Sequence, residues 1–193
     1  LECMTDIHAN TYPAVLGNGV KPNVAFLGGM PVVQPYQPQA SAGMEPGKFL
    51  THFDSGTVST KNGRVVREFK VWAEDKDIEV AKGIYLPGWL FNGFLPGPTL
   101  RAKEGERLII HFENRGSKQH TIHFHGIHPG NMDGVFELVP PGGTFDYEFD
   151  AEPYGIFPFH CHMMPLRKHV SRGLFGTLII DPAEGRKPTT EMI

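Results

Sequence analysis

The run Phe159-His160-Cys161-His162-Met163 constrains this chain more than any other stretch of its sequence. Side chains alternate across an extended strand, so His160 and His162 point one way and Cys161 points the other. The same parity in His120-Thr121-Ile122-His123-Phe124-His125 puts His123 and His125 on one face and His120 on the opposite one. Each segment thus offers two imidazoles to one side and a single thiol or imidazole to the other. His169 follows Cys161 after a loop containing Pro165 and adds a third residue to the thiol side.

The two sides have different chemistry. His120, Cys161 and His169 make a thiolate with two imidazoles, the trigonal set of a blue copper site. His123, His125, His160 and His162 make four imidazoles without a thiolate, which suits copper or zinc, each tautomer being fixed by an outer partner. Zinc alone gives no reason for a thiolate between two histidines that face away from it. A single histidine in a strand is usually a satisfied polar residue, and His8, His52, His111 and His128 are read in that way.

The strand pattern around these residues is dense. Val58-Ser59-Thr60 and Val65 to Phe69 flank Asn62-Gly63, the signature of a tight hairpin. Further strands are expected at 69–73, 84–91, 99–102, 107–114, 121–125, 144–150, 155–161 and 174–180. Asn92-Gly93, Pro96-Gly97-Pro98, Glu104-Gly105 and Pro140-Pro141-Gly142-Gly143 punctuate them. No long amphipathic helix is visible. The pattern predicts an all-β fold, an antiparallel β-sandwich of Greek-key type. Residues 1–60 are rich in proline and glycine and lack sustained periodicity, so they read as an irregular N-terminal extension, an extended arm on residues 61–193.

A length of 193 residues, 40% hydrophobic and 20% charged, is enough to bury a core without disulfides. Cys3 has no intramolecular partner if Cys161 is a ligand and reads as a lone thiol. The net charge of −3 provides no basic field for nucleic acid or an anionic membrane. No stretch is apolar enough to span a bilayer, and no leader is visible.

These motifs resemble those of the multicopper oxidases and the related copper nitrite reductases. His123-Phe124-His125-Gly126 resembles the oxidases' His-x-His-Gly motif, and Asn131-Met132-Asp133-Gly134 the Asp-Gly segment after it. His160-Cys161-His162, His169 and Gly173-Leu174 are similar to their last motif. Trp89 to Leu100 is similar to the strand that leads into a copper-binding domain. The resemblance spans residues 65–182.

It implies a cupredoxin sandwich in which His120, Cys161 and His169 hold type 1 copper. His123 would be a type 2 ligand, His125, His160 and His162 type 3 ligands, and Asp133 would orient water or relay protons. Leu174 stands at the axial position five residues after His169; leucine cannot coordinate, so a high potential is expected. The loop from Cys161 to His169 is closer in length to that of nitrite reductases. Those enzymes, however, have an aspartate where His123 stands and lack the second histidine after the cysteine.

The activity implied is oxidation of a reducing substrate coupled to reduction of O2 to water. An electron-transfer cupredoxin and a nitrite reductase-like enzyme with mononuclear type 2 copper are the alternatives. Multicopper oxidases draw eight histidines from two domains, and this chain offers four in motif form. Symmetry supplies the rest: copies meeting across an isologous contact would share the cluster, two His123 residues holding the type 2 ion. A homohexamer is preferred and a homotrimer second, with the arm wrapping a neighbour. The family's chemistry implies a periplasmic or secreted location. Phenols, aromatic amines and metal ions all remain open as reductants, although the seven methionines form no cuprous-ion segment.

Overall fold

Short strands and tight turns are what this sequence can bury. The computed structural model describes strands Val24–Leu27 and Met30–Val33 and residues 51–191 apart from Lys82. Cys3, His8 and most of the expected arm lie outside the described residues.

By internal packing the chain divides into two units, residues 1–44 with 76–88 and residues 45–75 with 89–193. The first contains an antiparallel hairpin of β1 (Val24–Leu27) and β2 (Met30–Val33). It also takes in the far ends of two long strands, β5 (Arg64–Ala81) and β6 (Ile84–Phe91).

The second unit is the sandwich. One sheet runs β10 (Thr144–Asp150), β8 (Arg107–Asn114), β5, β4 (Thr57–Lys61), with β6 also paired to β5. The other runs β3 (Phe53–Asp54), β7 (Thr99–Lys103), β12 (Phe175–Asp181), β11 (Gly155–His160), β9 (His123–Phe124). Asn62 and Gly63 both take positive φ (53° and 77°) and close the β4–β5 hairpin with Lys61 opposite Arg64, as the Asn-Gly signal requires.

Alternation is clean along β8, where Leu108, Ile110 and Phe112 point inward and Arg107, Ile109 and His111 are only partly covered. His111 is the satisfied polar residue expected, its Nδ1 lying 2.9 Å from Asp146 Oδ1 across the β8–β10 ladder. Phenyl and phenol rings are the largest fully buried side chains of the core. Phe124 packs on Phe149 and Phe159 at ring-centroid distances of 5.2 and 5.3 Å. Phe124 and Phe159 are the inward alternates of His123, His125 and His160, so burying the phenyl rings turns the imidazoles outward.

The sheets are mixed rather than purely antiparallel. β5 pairs β8, and β12 pairs β7, in parallel. These neighbours are distant in sequence, and short-range turn signals carry no information about such pairing. The segment expected to be a strand over 121–125 is regular only at His123–Phe124. His120 instead pairs with Val139 on one side, and the Ile122 N–H donates to the Tyr147 hydroxyl (2.9 Å). The loop after Cys161 contains a helix, α1 (Leu166–Ser171), too short to register as a periodic pattern.

Tyr147 is fully buried, and burial pushes its phenol far up its scale, so it stays neutral beside the site strand. Tyr147→Phe leaves the Ile122 N–H unpaired in the core. It is expected to lower unfolding stability by about 1–3 kcal/mol, measured by denaturant titration.

Candidate metal centre

Three buried side chains converge on one point. His120 and Cys161 are fully buried and His169 is 4% exposed. The His120 and His169 Nδ1 atoms are 3.2 Å apart, and Cys161 Sγ lies 3.4 Å from His169 Nδ1 and 3.8 Å from His120 Nδ1. A point equidistant from the three is about 2.0 Å from each, close to the roughly 2.0–2.3 Å of first-row metal bonds to imidazole and thiolate. The donor set and the triangle therefore both fit a metal ion.

Each corner comes from a different local structure. His120 is held by reciprocal backbone bonds with Val139 (3.1 Å each). Cys161 follows the end of β11, its N–H donating to the Leu174 carbonyl (3.0 Å). α1 brings in His169. Leu174, the expected axial residue, is fully buried in the same core cluster as Cys161.

Charge in this pocket is suppressed. Burial lowers the His120 imidazole to about 4, with His169 adding to the effect and Asp75 opposing it. Burial also lowers His169 to about 4, with help from Lys168. The Cys161 thiol is pushed up by burial, against the hydrogen bonds from Thr121 and Met163. At neutral pH both imidazoles are therefore free bases and the thiol keeps its proton.

Nothing in the sequence distinguishes Thr121 from any threonine in a strand. Its N–H donates to Cys161 Sγ (3.4 Å) and its hydroxyl accepts from the His162 N–H (2.9 Å). Fully buried, it ties the thiol side of the strand to the histidine side.

The second group lies across the strand. His123 faces His160 in the β9–β11 register, and the His125 N–H donates to the Pro158 carbonyl (3.0 Å). His125 Nε2 and His160 Nε2 are 2.9 Å apart. The His123 ring is 5.2 Å from that of His162, and the His160 and His162 rings stack at 5.8 Å. His123, His160 and His162 are half-buried and His125 is exposed. His123 Nδ1 donates to the Asp133 carbonyl (2.8 Å), and His160 Nδ1 to the Cys161 carbonyl (2.9 Å), which leaves Nε2 of each as the lone-pair nitrogen.

Asp133 Oδ1 is 2.7 Å from His123 Nδ1 and 3.3 Å from His128 Nε2. His128 therefore belongs beside the cluster and is not the ordinary polar residue that the sequence suggests; its one signal is its place three residues after His125. Gly134 is obligatory here. Its φ is +73°, and a Cβ would fall 1.8 Å from the Ile122 carbonyl oxygen.

The profile of the multicopper oxidase family matches residues 73–185. The chain belongs to the multicopper oxidase family. Copper is the metal of that family, and the sandwich is its cupredoxin fold. A solved multicopper oxidase structure aligns with a TM-score of 0.74 and 48% identity, over 77% of this chain and 54% of that one. L-ascorbate oxidase of Cucurbita maxima is 36% identical over 62% of this chain and 20% of its own length. The copper-containing nitrite reductase of Neisseria meningitidis is 27% identical over 60% of this chain and 31% of its own. The chain thus spans a third or less of the length of these two curated relatives. Among the described residues no helix is long and apolar enough to cross a membrane.

Loading copper at neutral pH into the thiol-containing triangle is expected to release about one proton, from Cys161, with none from the two imidazoles. Affinity therefore rises with pH while the thiol remains protonated, and drops further near pH 4 as His120 and His169 take up protons. Calorimetry of copper uptake in buffers of different ionisation enthalpy, using Cys161→Ser as reference, measures the proton count.

Proposed function

We propose that this chain is a copper oxidase domain in which His120, Cys161 and His169 hold type 1 copper. On this reading His123 serves a type 2 ion, and His125, His160 and His162 serve a type 3 pair. Bound copper supplies one-electron chemistry, drawing electrons singly from a reducing substrate and reducing O2 to water.

The observation that carries the reading is the alternation at His160-Cys161-His162. The thiol lies in a buried triangle of metal-bond dimensions, while its two chain neighbours stand among the outward imidazoles. The backbone between them is a short covalent route for electrons from one site to the other. Thr121 holds the ends of that route in register. On this reading Asp133, whose carboxylate lies between His123 and His128, orients water or passes a proton at the cluster edge.

The four outward histidines are half the set that the family uses. We assign the other half to further copies of the chain in a homohexamer, with a homotrimer as the second assembly. Support comes from the exposed His125 and from Phe136 (82% exposed) and Ile156 (70% exposed), large apolar groups on the described surface. We assign the arm to the residues before Phe53 rather than to 1–60, because β3 and β4 pair within the sandwich sheets, and the cupredoxin domain to the chain from β3 onward. The location proposed is periplasmic or secreted.

A nitrite reductase-like reading has its own support, in the nitrite reductase relatives and in the grouping of His123, His128 and Asp133 around one point. Copper analysis with native mass and gas measurements separates the two. An oxidase of this design is expected to hold about 2.5 coppers per chain, form an oligomer and consume O2. One copper per chain without O2 uptake would sink the oxidase. Nitrite-dependent nitric oxide without O2 turnover would establish the alternative.

Leu174→Met tests the axial assignment. A thioether there is expected to lower the type 1 potential, read by redox titration of the blue absorbance. An unchanged potential would show that residue 174 does not face the copper.

A further inference from the structure

The charges around the Cys161 triangle run against those of the whole chain. The net charge is −3, yet residues 164–175 carry Arg167, Lys168 and Arg172 and no carboxylate. All three flank His169, the ligand that keeps some exposure (4%). Arg167 is exposed, and Lys168 and Arg172 are half-buried. The Lys168 charge reaches the His169 ring.

Trp89 joins this basic loop to the site. Its ring lies 4.8 Å from that of His169 and 5.6 Å from that of His120. The Arg172 guanidinium sits 5.3 Å over the indole, and the Trp89 backbone N–H donates to the Arg172 carbonyl (2.9 Å). The carboxylate that reaches the site, Asp75, does so from the His120 side, where it accepts from the Ser117 N–H (3.2 Å). Met164, 69% exposed, and Phe175, 36% exposed, add apolar surface at either end of the segment. Cations beside an aromatic and apolar surface suit an organic anion with a ring.

We propose that Arg167, Lys168 and Arg172, backed by the buried Trp89, form a donor-binding surface over the Cys161 site that selects small anionic reductants, specifically phenols bearing a carboxylate. The proposal rests on the reading of that site as type 1 copper. The bound phenol gives one electron to oxidised copper and its hydroxyl proton to water, leaving a phenoxyl radical and copper reduced by one electron. No bond to the protein forms or breaks.

The test uses the copper-loaded full chain. Anaerobic stopped-flow bleaching of the blue band is followed with 4-hydroxy-3-methoxycinnamic acid and with its methyl ester, the same phenol without the charge. At low ionic strength the acid is expected to react about tenfold faster than the ester, with the gap closing as salt is added. In Arg167→Glu/Lys168→Glu the preference is expected to vanish or invert, while copper content and the blue band stay unchanged. Cinnamate, which has no oxidisable hydroxyl, is expected to bind the unaltered protein and not the double variant in calorimetry. Equal acid and ester rates in the unaltered protein, or a preference that survives the double variant, would overturn the proposal. If copper loads without a blue band, the type 1 reading fails, and cinnamate binding alone then decides whether the anion surface exists.

Discussion

Everything in this chain depends on one strand end having to face two ways. Cys161 must be buried to meet two imidazoles in a dry pocket, and burial disfavours its thiolate. The charge of a metal ion is what offsets that cost, so ligand and metal stabilise each other in a place where neither is at ease alone. The residues on either side of Cys161 cannot enter the same pocket, because a strand alternates. They are delivered to the opposite face, where His123 and His125 already stand for the same reason.

The sandwich makes this division rigid. Phe124 is packed against Phe149 and Phe159, and each inward ring of the strands fixes an outward imidazole beside it. Rotating one histidine inward would expose a phenyl ring, at a cost of about 1.5–3 kcal/mol for each large side chain taken from the core. Thr121 and Tyr147 then claim the N–H groups of His162 and Ile122 that the short β9 ladder leaves unpaired. The positions of the imidazoles and the thiol are thus held by the apolar core and by two hydroxyls.

What could be read from the sequence follows the range of the physics involved. The Asn62-Gly63 hairpin, the alternation of β8 and the partition of the ligands across the strand are local, and each is visible in a few consecutive residues. The parallel pairings of β5 with β8 and of β12 with β7 join segments with no turn between them, so no local signal exists. The segment at 120–124 changes partners from Val139 to β11, which no periodicity can announce. His128 and Thr121 escaped for a related reason. Their roles come from what lies opposite them in space, Asp133 and His162, and a lone polar residue on a strand or loop looks the same with or without such a partner.

The two faces also differ in how finished they are. The thiol triangle is closed by Trp89, Leu174 and the core, and its histidines lose nearly all contact with water. The histidine face keeps an exposed His125 and half-buried neighbours, a setting in which water would compete for every ligand position. Closing that face with another domain would dry it, and because the basic loop around His169 lies on the other side of the strand, the same contact need not block the surface proposed for the donor. Under the proposed function one strand would then serve two partners at once, since alternation would keep electron entry and oxygen chemistry on opposite sides of the backbone that links them.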